Sequence, residues 1–146
     1  MKKRILLIGA TEYQGGIESF INRLIQQLGT DYDFSVLQFR KQNIVNYDYY
    51  VKSLGVPVYK VVLPSGFLGK VQRRSIADRF FSNNSFDIVH INTNSPDSFF
   101  WAKSALKYNM KVIFQSHNGS AESLLGKHLP NWGVQLVRDY QRHELL

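Results

Sequence analysis

Cysteine is absent from the 146 residues and proline occurs only four times. Without a thiol the chain has no disulfide framework, no Cys-ligated zinc or iron–sulfur cluster and no thiol nucleophile. Long apolar runs are missing as well. None approaches the ~18 consecutive apolar residues of a membrane span, so any membrane contact is expected to be peripheral. The stretch Ile5–Ala10 behind Met1-Lys2-Lys3-Arg4 is too short for a secretion signal and lacks a small-residue cleavage pattern, and it reads as a first strand. Acids are scarce: 11 Asp and Glu stand against 18 Lys and Arg, a formal net charge of +7. That balance favours anionic partners. Nucleic acid is not expected among them, because the charge is spread along the chain and no helix-turn-helix, zinc-finger or aromatic RNP pattern appears. The four His residues lack the paired helical spacing of zinc enzymes, so no metal site is expected. What is present, 44% hydrophobic and 14% aromatic residues with ten Gly, fits one globular domain, complete or part of a longer protein, most simply cytosolic.

Short apolar runs alternate with longer segments of helical period, the pattern of βαβ units. The spacing predicts strands over Arg4–Gly9, Phe34–Phe39, Val56–Leu63, Ile88–Ile91 and Lys111–Phe114. Gly16–Leu28 carries Ile17, Phe20, Ile21, Leu24, Ile25 and Leu28 on one stripe and predicts a helix packed on a sheet. Further helices are expected over Tyr47–Leu54, Phe67–Asn83 and Ser95–Tyr108, the last entered through a Ser95 cap with Pro96 at its first turn and stopped at Asn109. The implied fold is a Rossmann-like open parallel α/β sheet with helices on both faces. Ligands of such sheets bind beyond the C-terminal strand ends.

Gly9-Ala10-Thr11-Glu12-Tyr13-Gln14-Gly15-Gly16 follows the first strand. A nicotinamide fingerprint is disfavoured: Glu12 stands where the Gly-Ala-Thr-Gly pattern has its second glycine, and Arg40 rather than an acid ends the second strand. Gly15 and Gly16 instead suit a helix start whose amides face a phosphate or sugar hydroxyl, with a plain permissive turn as the alternative. Fourth and fifth strands lying side by side would bring His90 and His117 to one sheet edge. Each suits proton transfer or hydroxyl recognition, and each equally suits packing or capping. Asn92, Thr93, Asn94 and Asn118 offer neutral groups for sugar hydroxyls and are also ordinary turn residues.

Gly15-Gly16-Ile17-Glu18, Phe86-Asp87-Ile88-Val89-His90 and Val112-Ile113-Phe114-Gln115-Ser116-His117-Asn118 together resemble the N-terminal half of the GT-B glycosyltransferases of family 4. These are retaining, nucleotide-sugar-dependent enzymes of exopolysaccharide, capsule and lipopolysaccharide assembly. The resemblance implies that Gly15 and Gly16 line the cleft near acceptor and donor diphosphate, with Glu18 one turn into the helix, facing the cleft or bracing the loop. It implies that His117 contacts the transferred sugar or reaction centre, as the catalytic candidate. His90 takes the first place of the family's Val-His-x-His, whose second His is Asn92 here. The implied substrates are a nucleotide-diphosphate sugar, a donor rather than a resident cofactor, and a glycan or lipid-linked acceptor.

Lys70, Arg73 and Arg74 on the helix over Phe67–Asn83 suit a solvated face, or, given lipid-linked acceptors, anionic headgroups at the inner membrane face. Trp132, Leu136, Val137, Tyr140 and Glu144 run in helical phase to Leu146 without a stop signal. The expectation is therefore an N-terminal, acceptor-side domain over residues 1–146 without the C-terminal donor-binding domain, inactive alone. The competing expectation is a stand-alone or split-enzyme module that docks a partner subunit or a phosphorylated ligand.

Overall fold

The described elements follow in the order β1 (Lys3–Ala10), α1 (Gly16–Leu28), β2 (Tyr32–Arg40), β3 (Val58–Val62), α2 (Gly66–Asn83), β4 (Ile88–Ile91), α3 (Ser98–Lys107) and β5 (Lys111–Phe114). This computed structural model describes residues 1–11, 15–40, 55–64, 66–93, 95 and 97–115. The strands form one sheet in the order β3-β2-β1-β4-β5, every neighbouring pair parallel. The chain steps outward from β1 to β3, then returns across the sheet to β4. β1 and β4 therefore flank the point where the strand order reverses, which is where such sheets open a crevice.

Both faces of the sheet are covered, as the unbroken apolar run of β1 requires. Ile5 and Leu7 join Ile21 and Ile25 of α1, with Phe34 and Val36 of β2, in one apolar cluster. Leu6 and Ile8 point the other way, into a cluster with Ala77 and Phe81 of α2 and Trp101, Ala102 and Ala105 of α3. Trp101 is fully buried there, its ring centroid 5.3 Å from Phe39, 5.5 Å from Phe80 and 5.7 Å from Phe81. At about 1.5–3 kcal/mol for each large side chain taken from water, these two clusters dominate the stability of the sheet.

The five strands and the first helix fall where the periodicity puts them. The helix expected over Ser95–Tyr108 starts later, at Ser98, with Asp97 as its N-cap. Ahead of it the Ser98 amide donates to the Ser95 carbonyl at 2.9 Å, and the Ser98 hydroxyl donates to the Thr93 carbonyl. Asn109 does stop α3, in the left-handed region at φ 60°. The helix expected over Tyr47–Leu54 lies outside the described residues.

Candidate functional site at the C-terminal sheet edge

Near the end of β1 its pairing with β2 shifts register between Ile8 and Ala10. Gly9 has φ +125°, and a Cβ there would sit 3.1 Å from the Asn92 carbonyl carbon. Only glycine adopts this conformation without strain, and its bare backbone lets β1 and the end of β4 approach closely. The Asn92 amide donates to the Ile8 carbonyl at 2.8 Å, closing that junction.

Thr11, just beyond, is held by Glu18 of α1. One carboxylate oxygen accepts from the Thr11 amide at 2.7 Å and the Thr11 hydroxyl at 2.6 Å; the other accepts from the Gly15 amide at 3.0 Å. Glu18 is only 4% exposed. Its negative charge sits in the first turn of α1, where the helix dipole favours it. Of the two roles open to Glu18, cleft or brace, the geometry supports the brace: the carboxylate is committed to both ends of the loop. From below, the Gln38 amide of β2 donates to the Thr11 carbonyl at 3.0 Å, while its Oε1 is buried without a partner among the described residues. Gly15 and Gly16 remain exposed at the helix start, and a Cβ on Gly16 would meet nothing within 4 Å among the described residues.

On the β4 side, His90 pairs with Gln115 beyond β5, Nε2 to Oε1 at 3.0 Å, and its ring stands edge-on to Phe20 of α1 at 6.2 Å. It is thus a half-buried group joining β4, β5 and α1. Asn92 is expected from sequence among the sugar-binding groups, but its side chain is fully buried and its Nδ2 donates to the His90 carbonyl at 3.2 Å. Enclosed in this way it braces the end of β4 and has no surface to offer a hydroxyl. His117, Asn118 and Asn94 lie outside the described residues.

Arg73 requires a second correction. Its Nε donates to the Pro64 carbonyl at 3.0 Å and its Nη1 meets Asp97 at 2.6 Å. It clamps the turn after β3 to the start of α3 and is not a headgroup ligand. Gly69 permits this, since a Cβ there would lie 2.6 Å from the Pro64 oxygen. Arg74 is exposed, and the Lys70 side chain lies outside what the structure describes. Sequence reasoning passed over Thr11 and Gln38. The signal was present in Gln38, a polar residue on the same side of β2 as the buried Phe34 and Val36.

The assembled edge holds the exposed Gly15 and Gly16 at a helix start, Thr11 and Gly15 tied by one buried carboxylate, and a half-buried imidazole, all at the switch point of a parallel sheet. Such an edge suits phosphate and hydroxyl groups. Among the described residues no three His, Asp or Glu side chains gather to hold a metal ion. The family model for Glycosyltransferase Family 4 matches residues 14–143. The chain belongs to glycosyltransferase family 4. No curated protein matches it in sequence. Among solved structures, this family 4 domain is similar to the lipopolysaccharide outer core galactosyltransferase WaaB in its apo form, at TM-score 0.62 and 16% identity over 82% of this chain and 36% of that one. It is also similar to HepE of Anabaena in complex with UDP and glucose (TM-score 0.60, 14% identity, 92% and 34% covered). A UDP-N-acetylglucosamine 2-epimerase matches at TM-score 0.61 and 15% identity, with 78% and 33% covered. At these identities the likeness is one of fold, and the chain spans about a third of the length of each.

Proposed function

We propose that this family 4 domain is the acceptor-side half of a glycosyltransferase that moves a sugar from a nucleotide-sugar donor to a glycan or lipid-linked acceptor in cell-surface polysaccharide assembly. The observation that carries the reading is the start of α1, where exposed Gly15 and Gly16 follow a loop anchored at both ends by the buried Glu18 carboxylate. A helix start held in this way suits an anionic or hydroxylated ligand at its first-turn N–H groups. The family match and the likeness to WaaB and HepE support the same reading. We assign His117 to the reaction centre and His90 and Asn118 to substrate binding. The donor nucleotide is held by a second domain, as the one-third coverage of the similar structures suggests, and the 146-residue chain alone makes no product. The place of action is the cytoplasm, at the inner face of the membrane.

The test is sugar transfer by the protein as its native cell makes it, using a panel of radiolabelled nucleotide sugars and an extract of cell-envelope lipids and glycans. The informative variant is Gly16→Asp. Among the described residues nothing lies within 4 Å of the added Cβ, and an acid at a helix start is compatible with folding. It places a negative charge where the phosphate or hydroxyl would lie. Transfer is expected to fall at least tenfold with the unfolding midpoint unchanged; undiminished transfer would remove the α1 start from the site.

A further inference from the structure

His90 stands on the side of β4 that faces α1, opposite Ile113 in the register of β5. Side chains alternate along a strand, so the next residue of that line on the same side is Gln115. The Gln115 amide donates to the Ile91 carbonyl at 2.9 Å, which carries the β4–β5 ladder one rung past Phe114 and fixes where the side chain starts. From there Oε1 meets His90 Nε2 at 3.0 Å. A carboxamide oxygen only accepts, so Nε2 carries a proton. Phe20 of α1 stands edge-on to the ring, with 86° between the planes, and the Asn92 side chain holds the His90 carbonyl. Ring and backbone are thus both set in place. The charged residues on this side of the packed elements are Glu18 and Arg23 of α1, Lys3 of β1 and Lys111 of β5. Glu18 is committed to Thr11 and Gly15, Arg23 is exposed, and the two lysines are exposed at the first residues of their strands.

We infer that Gln115 is a positioning residue for substrate recognition: by holding the proton on Nε2 it makes Nδ1 of the neutral ring a hydrogen-bond acceptor, so that His90 selects a hydroxyl of the substrate and not a phosphate oxygen. The inference rests on the transferase reading, which gives His90 its place in substrate binding. A sugar hydroxyl has a proton to donate to Nδ1, whereas an ionised phosphate oxygen has none and is repelled by the nitrogen lone pair. Division of labour along the edge follows: the first-turn N–H groups of α1 suit the anionic part of a substrate, and His90 its hydroxyls. Such a second residue behind an imidazole acts by fixing tautomer and ring orientation, and its loss is felt at a substrate that it does not touch.

The test begins with long-range proton–nitrogen correlation spectra of the protein labelled with 15N-histidine, the His90 signals being identified by their loss in His90→Gln. Far-UV circular dichroism confirms that each variant folds. Above the imidazole titration, wild type is expected to show His90 as the Nε2–H tautomer with that proton protected from exchange. Gln115→Leu should lose the protection, and Gln115→Glu should raise the His90 pKa, since an adjacent carboxylate favours the imidazolium. An Nδ1–H tautomer in wild type, or a Gln115→Leu protein with the Nε2 proton still protected, overturns the inference. If a variant does not fold, the wild-type tautomer decides. Transfer by the native protein, in the assay given above, then joins the tautomer to substrate. Gln115→Leu is expected to lower kcat/KM about two- to tenfold, the worth of one hydrogen bond. Gln115→Glu should move the acid limb of the pH profile upward with the His90 pKa and regain wild-type transfer above it, a recovery that a merely structural role does not produce. Equal transfer by wild type and Gln115→Leu, or an acid limb that stays while the pKa moves, overturns the inference. No transfer by wild type with any nucleotide sugar removes the transferase reading and this inference with it, whereas failure in the spectra leaves the transferase reading standing.

Discussion

Replacing Glu18 by alanine removes the acceptor of three hydrogen bonds, from the Thr11 amide, the Thr11 hydroxyl and the Gly15 amide. A hydrogen bond to a charged group contributes about 1.5–3 kcal/mol. The three do not sum, because Thr11 and Gly15 are exposed and recover water once released, whereas the buried carboxylate no longer has to be desolvated. We expect Glu18→Ala to cost about 2–4 kcal/mol in urea unfolding. Glu18→Gln keeps one acceptor oxygen for Thr11 but sets an NH₂ group against the Gly15 N–H, or the reverse, and should cost about 1–2 kcal/mol. The order Ala worse than Gln worse than wild type is the signature of a brace. Hydrogen exchange adds the local readout: the Thr11 and Gly15 amides should lose protection in both variants while those of β4 keep theirs. A Glu18→Ala protein within about 0.5 kcal/mol of wild type, with Thr11 protection unchanged, would refute the reasoning.

Gly9→Ala should destabilise by about 1–3 kcal/mol, because φ +125° is strained for alanine and its methyl would press on the Asn92 backbone; thermal melts would show it. Ile21→Ala, which opens a cavity under α1, should cost about 2–5 kcal/mol in the same assay. The Asp78 carboxyl is held below its usual range by the Ser104 hydroxyl and then by Lys107. Its link between α2 and α3 therefore contributes at pH above the ordinary carboxylate range and is lost as pH falls through the lowered value. The stability gap between wild type and Asp78→Asn should accordingly be present at neutral pH and close in acid. Asp78 in turn raises the Lys107 pKa, so the lysine's share persists into alkali and disappears only above its ordinary value of 10.5. Gln38→Met should be within about 1 kcal/mol of wild type, since it exchanges one hydrogen bond to Thr11 for relief of a buried unpartnered oxygen.

The strands were readable because each is a run of apolar residues that a parallel sheet must bury on both sides. α1 was readable because Ile21 and Ile25 recur at the period of a helix lying on that sheet. α2 was legible in extent but not in orientation: apolar residues occur on both its sides, so spacing alone could not separate Phe81, which is core, from Leu68, which is surface. The start of α3 was misplaced because Ser95-Pro96 carries strong capping chemistry, whereas the carboxylate of Asp97, the actual cap, is taken by Arg73 from another helix. At the site the positions were legible and the roles were not. From sequence Asn92, at a strand end, could be a ligand group or a turn residue, and Glu18, at a helix start, could face the cleft or brace the loop; only three-dimensional enclosure reveals that both hold backbone in place.

The burial of Trp101 has an optical consequence. Its indole N–H has no hydrogen-bond partner among the described residues and its ring is enclosed by Phe39, Phe80 and Phe81. In that apolar surrounding its emission should lie at the blue end of the tryptophan range and shift red when α2 and α3 leave the sheet. The α1 side holds no tryptophan among its clustered residues. In a Trp132→Phe background, fluorescence would thus follow one face of the sheet and circular dichroism both. A difference between the two melting curves would reveal α1, with the site loop it carries, detaching ahead of the rest.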